Sequence, residues 1–578
     1  MTRPYSLTRE GQAEDEKGDG DRTKTNETTD KHGILKTCRR TTENVDTLEN
    51  VVPYSILCPP PECRRIGTTI MICVTIACGT HSRMIAEHAR LAEEGIKLVE
   101  LRLDFLRREP DINRLIPPRP TATVITVRRQ QDGGLWRDSE ENRLTLLRTA
   151  ILAEPEFVDL EVDIADQIPP FGKTRRIISY HNTETMPENL PGLHREMLKK
   201  KPHFIKIAAT PKTVAEMYNF LKFIQQKNDE SQKLLGEKAI RVVGICMGEM
   251  GKAARILSKR FSMPYTYATF SEDRIIAPGM LVYEDLLGLY RYDQINKETA
   301  VYGIIGNPVG HSLSPLVHNR FFLEHKINAV YVPFQIGDAS VADLLRLAPE
   351  LGIQGISVTI PHKVAVIEHL TKADPAVERI GACNTIVFRN GERIGYNTDY
   401  IAAMGGIEHA LGGNPSDEES VLKNMKALVL GAGGAGKALA YGLVHREAMV
   451  TVTDVDSERA LELSKHLGSE YVKWEIRESV KPDIVVNCTP LGMHPNVNET
   501  PYPKSSLRSK MLVFDAVYNP EHTLLIKSAQ EKGCRVVTGV EMFVGQACYQ
   551  FKLFTGQRAS GSTMRMLVKE AIMRMYRE

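Results

Sequence analysis

The stretch "ALVLGAGGAGKALAYGL", residues 427–443, runs from an apolar strand pattern through a cluster of glycines into a helix-forming segment. Gly431, Gly433 and Gly436 stand in the Gly-x-Gly-x-x-Gly register, and Gly434 lies between them. Glycines at these positions allow a tight turn and let a pyrophosphate approach the N-terminus of the following helix. The register is weak evidence alone, but directly after a strand and before a helix it predicts a dinucleotide-binding site.

The segments that follow extend this turn into the pattern of a doubly wound sheet. Strand patterns recur in "VTVTD" (450–454), "DIVVN" (483–487) and "VFDAV" (513–517). Asp454 ends the second strand, where a carboxylate accepts hydrogen bonds from a free ribose diol and repels the 2′-phosphate of NADP. We therefore expect NAD to be favoured. A turn or helix-cap role for Asp454 is the alternative, although Asp456 could cap the next helix equally well.

Composition indicates a protein of several domains with ordinary charge. The 578 residues include 74 Lys+Arg and 72 Asp+Glu, and the net charge of +2 provides no field that would attract a polyanion. Nucleic acid is therefore not an expected partner. No apolar run reaches the roughly 18 residues of a membrane span, so no membrane partner is expected either.

The ten cysteines argue for a reducing compartment and against a metal site. They form no Cys-x-x-Cys pair, and the spacing of Cys58, Cys63, Cys73 and Cys78 matches no zinc pattern. The segment "GQAEDEKGDGDRTKTNETTDKHG" is polar and mixed in charge, which predicts a disordered tail over residues 1–69. Organelle transit peptides are poor in acidic residues, so a cytoplasmic location is expected, with the chloroplast as the alternative.

From residue 70 short β-branched runs alternate with stretches of helical apolar spacing. The eight runs are "ICVTIA" (72–77), "KLVELRL" (97–103), "TVITVR" (123–128), "FVDLEV" (157–162), "IISYH" (177–181), "FIKIAA" (204–209), "RVVGICM" (241–247) and "YTYATF" (265–270). Eight βα units predict a closed (βα)8 barrel with its catalytic groups at the C-terminal ends of the strands. Charged and polar residues lie in or just after these strands: Glu100, Arg102, Arg128, His181, Lys206 and Arg255.

Lys206 is the most informative of these residues because it lies between apolar neighbours inside a strand. Burial disfavours a charged lysine, so a neutral amine that attacks a ketone to form a Schiff base is the functional hypothesis. Lowering its pKa from about 10.4 to about 7 takes roughly 4 to 5 kcal/mol, which desolvation and neighbouring arginines could supply. His181 would then carry protons. A structural ion pair with Glu100 is the alternative.

Four polar clusters precede the glycine-rich turn: "HSLSP" (311–315), "GISVTIPHK" (355–363), "GACNTI" (381–386) and "GYNTD" (395–399). Each places hydroxyls, an amide or a charge beside a turn-forming residue at the end of an apolar run, where an α/β domain builds a substrate pocket. Taken alone, "HSLSP" is equally well explained as a helix N-cap.

These motifs carry a resemblance that covers residues 70–578. The part up to about residue 280 resembles a type I 3-dehydroquinate dehydratase, and the remainder resembles a shikimate dehydrogenase. Together they are similar to the fused bifunctional enzymes of plants. The resemblance implies a TIM barrel followed by a two-lobed α/β dehydrogenase with a Rossmann-like lobe.

The resemblance also implies roles for individual residues. In the barrel, Lys206 forms an imine with the dehydroquinate ketone, His181 removes and relays protons, and the substrate is held by Glu100, Arg102, Arg128 and Arg255. In the dehydrogenase, Lys363 and Asp399 are the reacting dyad, with a simple structural salt bridge between them as the alternative. The other implied substrate contacts are Ser312, Ser314, Thr359, Asn384, Tyr518 and Gln546. Beyond the glycine-rich turn and Asp454, the implied cofactor contacts are Thr489, Gly539 and Met542.

The sequence departs from the family pattern in the barrel lid and in the second strand of the Rossmann-like lobe. The usual lid, Ser-Ala-Pro-Gly-Gln, is replaced by "IAPGM", and neither Ile276 nor Met280 can hydrogen-bond substrate. Asp132 stands where glutamate is usual. Each unpaired substrate group costs about 1 to 3 kcal/mol, so the dehydratase is expected to close poorly. NADP is the family's usual cofactor, but its Asn-Arg-Thr segment is replaced here by "TDVDSE" (453–458).

The expected function is interconversion of 3-dehydroshikimate and shikimate, with an attached dehydratase. The alternatives are an NAD-dependent quinate dehydrogenase acting on quinate and 3-dehydroquinate, and a nucleotide-responsive binding protein. The chain is expected to be a monomer. The predicted segments after the tail are a barrel over 70–280, a linker helix over 281–299, a substrate lobe over 300–410, a dinucleotide lobe over 411–545 and C-terminal helices over 546–578.

Overall fold

The computed structural model describes residues 72–117 and 119–575. The predicted tail, residues 1–69, lies outside them. All eight predicted barrel strands are present as parallel strands, each buried along at least half of its length. Their bounds are Ile72–Ile76 (β1), Leu98–Arg102 (β2), Ala122–Thr126 (β3), Phe157–Glu161 (β4), Arg175–Asn182 (β5), Phe204–Ala209 (β6), Arg241–Cys246 (β7) and Thr266–Thr269 (β8).

Neighbouring strands pair in the order β7-β6-β5-β4-β3-β2-β1-β8, so the pairing of β8 with β1 nearly closes the barrel. Helices lie between the strands: His81–Glu93 (α1), Ile112–Leu115 (α2), Glu140–Leu152 (α3), Leu190–Lys199 (α4), Val214–Leu235 (α5) and Gly251–Leu257 (α6). Thr80, Ser139, Asn189 and Thr213 accept backbone hydrogen bonds at the starts of α1, α3, α4 and α5. Side-chain caps therefore define where the longer barrel helices begin.

The predicted linker helix over 281–299 is instead two short helical turns. Residues Asp285–Leu289 form a π-helical turn and Tyr292–Gln294 a 3₁₀ turn, separated by Arg291 with a φ of 49°. A left-handed residue interrupts the helical hydrogen-bond ladder, so one continuous helix cannot form.

The substrate lobe is a mixed six-stranded sheet in the order β10-β9-β11-β13-β14-β12. Its strands are Ala300–Gly306 (β9), Ala329–Gln335 (β10), Ile353–Val358 (β11), Lys372–Ala373 (β12), Thr385–Arg389 (β13) and Glu392–Tyr396 (β14). Its helices are Ser314–Glu324 (α7), Val341–Leu351 (α8), Pro375–Ile380 (α9) and Thr398–Leu411 (α10). One buried apolar cluster continues from the barrel into this lobe, so the two share a core.

The dinucleotide lobe is an all-parallel sheet in the order β17-β16-β15-β18-β19-β20, as a doubly wound fold requires. Its strands are Lys426–Leu430 (β15), Met449–Thr453 (β16), Glu470–Tyr471 (β17), Ile484–Asn487 (β18), Leu512–Asp515 (β19) and Arg535–Val537 (β20). Its helices are Gly434–His445 (α11), Ser457–Leu467 (α12) and Leu524–Glu531 (α13).

Two C-terminal helices complete the chain, Gly539–Thr555 (α14) and Gly561–Met575 (α15). The predicted boundary between residues 545 and 546 falls inside α14, which packs closely along α10. Gly545 permits this contact, since a β-carbon there would lie 2.8 Å from the Ala402 side chain. Helix α14 thus runs from the dinucleotide lobe back to the substrate lobe. No helix of the described residues is long and apolar enough to cross a membrane.

Candidate active sites

Lys206 lies in the barrel between two buried carboxylates. Its Nζ is 3.0 Å from Asp159 Oδ2 and 3.2 Å from Glu100 Oε1, and 4.2 Å from the ring centroid of Tyr267. The residue is 4% exposed. Strand alternation on β2, β4 and β6 turns these three charged side chains toward one another. The ion pair with Glu100, considered above as the alternative, is therefore present, and Asp159 adds a second partner.

Asp159 is a member of this cluster that the sequence analysis missed. Burial opposes its ionisation, but Arg128 and Lys206 outweigh burial and hold the pKa of the carboxyl well below its usual range. Arg128 lies 2.8 Å from Asp159 and Ser179 Oγ donates to it at 2.5 Å. The signal was an acidic residue in the middle of the apolar run "FVDLEV", which burial makes costly unless it is paired.

Two of the three predicted barrel arginines, Arg102 and Arg128, are themselves paired with carboxylates. Arg128 lies 2.6 Å from Glu161, and Arg102 makes two hydrogen bonds to Asp104 at 2.8 and 2.9 Å. The expected effect of arginines on Lys206 is therefore largely neutralised, and the nearest charges to its amine are negative.

His181 and Arg255 complete the predicted set. Burial, followed by the charges of Arg128 and Lys206, lowers the pKa of His181 well below its usual value, so the imidazole is neutral. Its Nδ1 has no hydrogen-bond partner among the described residues. Burial also lowers the pKa of Arg255 to about 10. The barrel thus holds a neutral proton acceptor near a paired lysine.

The lid that follows β8 is folded against the end of β7. Gly248 N donates to Pro278 O at 3.1 Å, and a β-carbon on Gly279 would lie 2.1 Å from Gly248 O. Met280 is buried and Ile276 is half-buried. Apolar side chains therefore occupy both positions where the family pattern has hydrogen-bonding ones.

In the substrate lobe, Lys363 Nζ lies 2.7 Å from Asp399 Oδ2. Asp399 is held at the start of α10, where its backbone N–H is capped by the Asn397 side chain at 3.1 Å. The Lys363 side chain is 15% exposed and that of Asp399 7%, so the pair is shielded but reachable. A β-carbon on Gly434 would lie 3.0 Å from Lys363 Cδ. The dyad therefore borders the glycine-rich turn.

The serines of "HSLSP" lie where α7 begins. Ser312 Oγ accepts a hydrogen bond from Ser314 N at 3.2 Å, and Ser314 is 3% exposed. Thr359 follows β11, and its methyl group would be 2.4 Å from a β-carbon on Gly306 at the end of β9. The three hydroxyl residues thus lie near the C-terminal ends of adjacent parallel strands.

Asn384 is more deeply engaged than a simple substrate contact. Its Oδ1 accepts from Thr398 N at 2.8 Å and from Thr385 Oγ1 at 2.9 Å, and its amide nitrogen donates to Thr398 Oγ1 at 2.9 Å. One amide hydrogen stays available for a ligand. Gln546 donates to Phe543 O at 3.1 Å within α14 and is half-buried. Both amides are therefore oriented before any ligand binds.

The glycine-rich turn has the geometry that a pyrophosphate needs. Gly431 has a φ of +103°, a conformation that other residues rarely adopt, and a β-carbon on Gly436 would lie 1.9 Å from Gly431 O. The first helical turn of α11 follows without a side-chain cap, and Gly433 and Gly434 open it. The residues present therefore fit a dinucleotide phosphate at this helix N-terminus.

Asp454 lies against the same turn. Its Oδ2 accepts from Ala432 N at 2.6 Å and its Oδ1 from Asp456 N at 2.9 Å, and it is 7% exposed. Each carboxylate oxygen keeps a second lone pair for a ribose hydroxyl. Asp456, not Asp454, caps α12, through its bond from Arg459 N at 3.1 Å. Arg459 also pairs with Asp456 at 3.2 Å.

The remaining predicted cofactor and substrate contacts cluster beside this turn. A β-carbon on Gly431 would lie 3.2 Å from Thr489 Cγ2, and one on Gly539 would lie 2.4 Å from Val517 O. Tyr518 follows Val517, and its ring lies 4.9 Å from that of Phe543. Met542 is buried in the same helix, α14. The ends of β18 and β19 and the start of α14 therefore meet at one place.

The architecture defines a class: a TIM-type barrel joined to a two-lobed dehydrogenase with a Rossmann-like lobe. Four family models match successive segments. Type I 3-dehydroquinase matches residues 72–297, the shikimate dehydrogenase substrate binding domain 304–386, NADP oxidoreductase coenzyme F420-dependent 426–517, and the shikimate 5′-dehydrogenase C-terminal domain 539–569.

A chloroplastic bifunctional 3-dehydroquinate dehydratase/shikimate dehydrogenase of Arabidopsis thaliana is 36% identical over 507 residues, covering 84% of this chain and 82% of the relative. The chain belongs to this family of bifunctional enzymes. A shikimate dehydrogenase (NADP(+)) of Bacillus cereus (strain G9842) is 36% identical over 282 residues, covering 47% of this chain and 98% of the relative. A crystal structure of shikimate dehydrogenase with NADP⁺ is 33% identical, covers 48% of this chain and 97% of that chain, and has a TM-score of 0.45.

These findings confirm the predicted fold class and the predicted pairing of a dehydratase with a shikimate dehydrogenase, and they do not favour the quinate alternative. The Bacillus relative carries NADP(+) in its name, and the Arabidopsis relative is named chloroplastic. The expected NAD preference, the monomeric state and the cytoplasmic location stay predictions.

Proposed function

We propose that the chain catalyses two consecutive steps, dehydration of 3-dehydroquinate in the barrel and reduction of 3-dehydroshikimate in the dehydrogenase lobes. The observation that supports it most strongly is the Lys363–Asp399 pair at 2.7 Å beside the glycine-rich turn. The test is to give the purified full chain 3-dehydroquinate and a reduced nicotinamide dinucleotide. Shikimate should accumulate as the dinucleotide is oxidised; 3-dehydroquinate left unchanged, or reduced directly to quinate, would contradict the proposal.

The barrel step begins with the amine of Lys206. The nitrogen of Lys206 adds to the ketone carbon, two of its protons leave with the carbonyl oxygen as water, and a protonated imine remains. His181, neutral because burial and two cations lower its pKa, accepts the proton from the carbon next to the imine. His181 returns that proton to the departing hydroxyl, which leaves as water, and hydrolysis of the imine frees the product and the lysine.

The dehydrogenase step needs a proton at the oxygen where hydride arrives at the carbon. A dinucleotide held at the glycine-rich turn by Gly431, Gly433 and Gly434 would supply or receive the hydride. Lys363 is oriented by Asp399 and donates the proton to the forming hydroxyl, or accepts it in the reverse direction. Ser312 and Ser314 offer hydroxyls to the substrate carboxylate, and Asn384 offers an amide hydrogen to a ring hydroxyl.

The lid residues should limit the dehydratase. Replacing Ile276 with serine and Met280 with glutamine together should raise kcat/KM for 3-dehydroquinate at least about tenfold, because each restored hydrogen bond is worth about 1 kcal/mol or more. Steady-state kinetics with 3-dehydroquinate checks this. Ile275→Ser is the matched control, since Ile275 is 46% exposed next to the same lid, and it should leave kcat/KM unchanged. An unchanged double variant would show that the lid does not limit the reaction.

Asp454 supports NAD as the preferred cofactor although the Bacillus relative is named for NADP(+). A 2′-phosphate about 4 Å from this carboxylate would be repelled by about 4 kcal/mol at an effective dielectric of 20. The only nearby arginine in the segment 453–459, Arg459, is paired with Asp456. We propose that kcat/KM with NAD exceeds that with NADP at least tenfold, since screening reduces the repulsion only in part.

Asp454→Asn should reduce the ratio of kcat/KM with NAD to kcat/KM with NADP, mainly by raising kcat/KM with NADP. Steady-state kinetics with both cofactors at fixed shikimate measure this ratio. Losing one acceptor for a backbone N–H also costs about 1 to 3 kcal/mol of stability, so thermal unfolding is measured in parallel. Glu458→Gln, which removes an exposed charge from the same segment, is the control and should leave the ratio unchanged. Equal or better turnover with NADP in the unmutated chain would overturn the proposal.

A further inference from the structure

Below the meeting point of the cofactor loops lies a carboxyl that the proposed mechanism does not use. Asp515 ends β19 and is 0% exposed. Its Oδ1 accepts from Asn487 Nδ2 at 2.9 Å and from Val517 N at 3.0 Å, and its Oδ2 accepts from Thr523 Oγ1 at 2.6 Å. Through these three hydrogen bonds the buried carboxyl of Asp515 connects the end of β18, the turn after β19 and the start of α13.

Two of these three donors, Asn487 and Val517, lead to predicted cofactor or substrate residues. Asn487 Oδ1 accepts from Thr489 Oγ1 at 2.7 Å and from Thr489 N at 2.9 Å, which fixes the loop that packs against Gly431. Val517 precedes Tyr518, and its carbonyl lies under Gly539, where a β-carbon would be only 2.4 Å away. Movement of the Asp515 carboxyl would therefore displace the loop carrying Thr489 and the turn carrying Tyr518 together.

We propose that Asp515 is a positioning residue of the dinucleotide site, whose ionised carboxylate fixes the Thr489 loop and the Tyr518 turn in the arrangement that binds the nicotinamide half. The inference rests on the proposed function, because it presupposes that this site binds a dinucleotide. Asp515 itself is too deeply buried to contact a ligand. Its effect on binding passes through Asn487 and Val517.

The charge state of Asp515 is set by its buried surroundings. Burial raises its pKa to about 6, although the bonds from Thr523, Val517 and Asn487 act in the opposite direction. Cys488, the residue directly after β18, is a titratable neighbour, and burial and Asp515 raise the pKa of its thiol above the usual range. Cys488 therefore stays neutral, and Asp515 is the member of this cluster that titrates near neutral pH.

Protonation has a definite structural consequence. A proton on Oδ2 turns Asp515 into a donor toward Thr523 Oγ1, and the bonds from Asn487 and Val517 to Oδ1 lose their charge assistance. Charge-assisted hydrogen bonds are about twice as strong as neutral ones, so both loops are then held less firmly. Dinucleotide affinity should therefore fall as pH falls through about 6.

The effect on stability has the opposite sign. The pKa of Asp515 is raised in the folded chain above its usual value of 3.8, so the native state binds this proton more tightly than the unfolded state. This group's contribution to stability therefore increases as pH falls from about 6 toward about 4. Weaker dinucleotide binding at low pH therefore does not result from destabilisation of the folded chain by protonation of Asp515.

The experiment measures Kd for NAD⁺ by calorimetry on the full chain without substrate between pH 5 and pH 8. NAD⁺ is the probe because its phosphates do not titrate in this range. For the unmutated chain Kd should rise about fivefold between pH 8 and pH 5, as charge assistance worth about 1 kcal/mol is lost. Asp515→Asn, which mimics the protonated acid, should show the low-pH Kd of the unmutated chain at every pH, apart from changes common to both proteins.

Asp515→Ala leaves three donors unpaired and should raise Kd more than tenfold at pH 8. Asp483→Asn is the control, because Asp483 accepts a backbone N–H at 3.0 Å at the opposite end of the same sheet. This variant should leave Kd and its pH profile unchanged.

Identical pH profiles for the unmutated chain and Asp515→Asn would overturn the inference. An alanine variant whose Kd lies within twofold of that of the unmutated chain would also overturn it. If Asp515→Ala does not fold, the comparison of the pH profiles of Kd between Asp515→Asn and the unmutated chain tests the inference. No NAD⁺ or NADP⁺ binding by the unmutated chain would instead overturn the proposed function.

Discussion

Replacing Lys363 with alanine should lower kcat for shikimate oxidation by about 100- to 10,000-fold, the range that general acid–base catalysis contributes. Lys363 Nζ lies 2.7 Å from Asp399 Oδ2 in a shielded ion pair. A water molecule in its place would be a less efficient proton donor, because it would not be held in position. Stopped-flow and steady-state kinetics measure kcat, and calorimetry measures dinucleotide Kd, which should change by less than about threefold. The loss therefore lies in the chemical step and not in binding.

The chain offers a matched control for this variant. Lys372 pairs with Glu392 at 2.6 Å in the same lobe, but its side chain is 61% exposed. Lys372→Ala should leave kcat unchanged, since exposed ion pairs contribute little. A Lys363→Ala protein that keeps more than about a tenth of the original kcat would remove this residue from the proposed dyad.

Sodium borohydride added with 3-dehydroquinate should trap a covalent adduct on Lys206 alone, because reduction converts an imine into a stable secondary amine. Peptide mass spectrometry locates the adduct. Lys206→Arg keeps a cation between Glu100 and Asp159, which limits the cost of leaving two buried carboxylates unpaired, but a guanidinium cannot form the imine. Its dehydratase kcat should fall at least about 1,000-fold, as expected on loss of a nucleophile.

The control for the barrel is Lys173→Ala, since the Lys173 side chain is 84% exposed in its pair with Glu154. That variant should form the adduct and keep its dehydratase activity. An adduct at another lysine, or an arginine variant with most of its kcat, would remove Lys206 from its proposed role. Dehydrogenase activity of Lys206→Arg, measured on the same sample, shows whether the chain has folded.

The sequence alone predicted the fold well because the signals of this fold are local. Eight β-branched runs at regular spacing matched eight observed strands within two residues at their starts, and the glycines of 431–436 specified a turn with a φ of +103° at Gly431. Strand and turn preferences depend on neighbouring residues in the chain, so they can be recognised without the structure. The linker was the exception, since nothing in "LGLYRYDQ" marks Arg291 as left-handed.

The partners of the charged residues were decided only by the tertiary structure. Lys206 was expected among arginines, but β4 places Asp159, 47 residues away, at 3.0 Å from its amine. Arg128 binds this same carboxylate and Glu161, and Arg102 binds Asp104. Asp454 was expected to face a ribose, and it also binds Ala432 N at 2.6 Å. A residue's type and its neighbours in sequence determine the chemistry that it can perform. Its pKa and its hydrogen bonds depend on groups that strand register and helix packing bring within a few ångströms, and that proximity exists only in the folded chain.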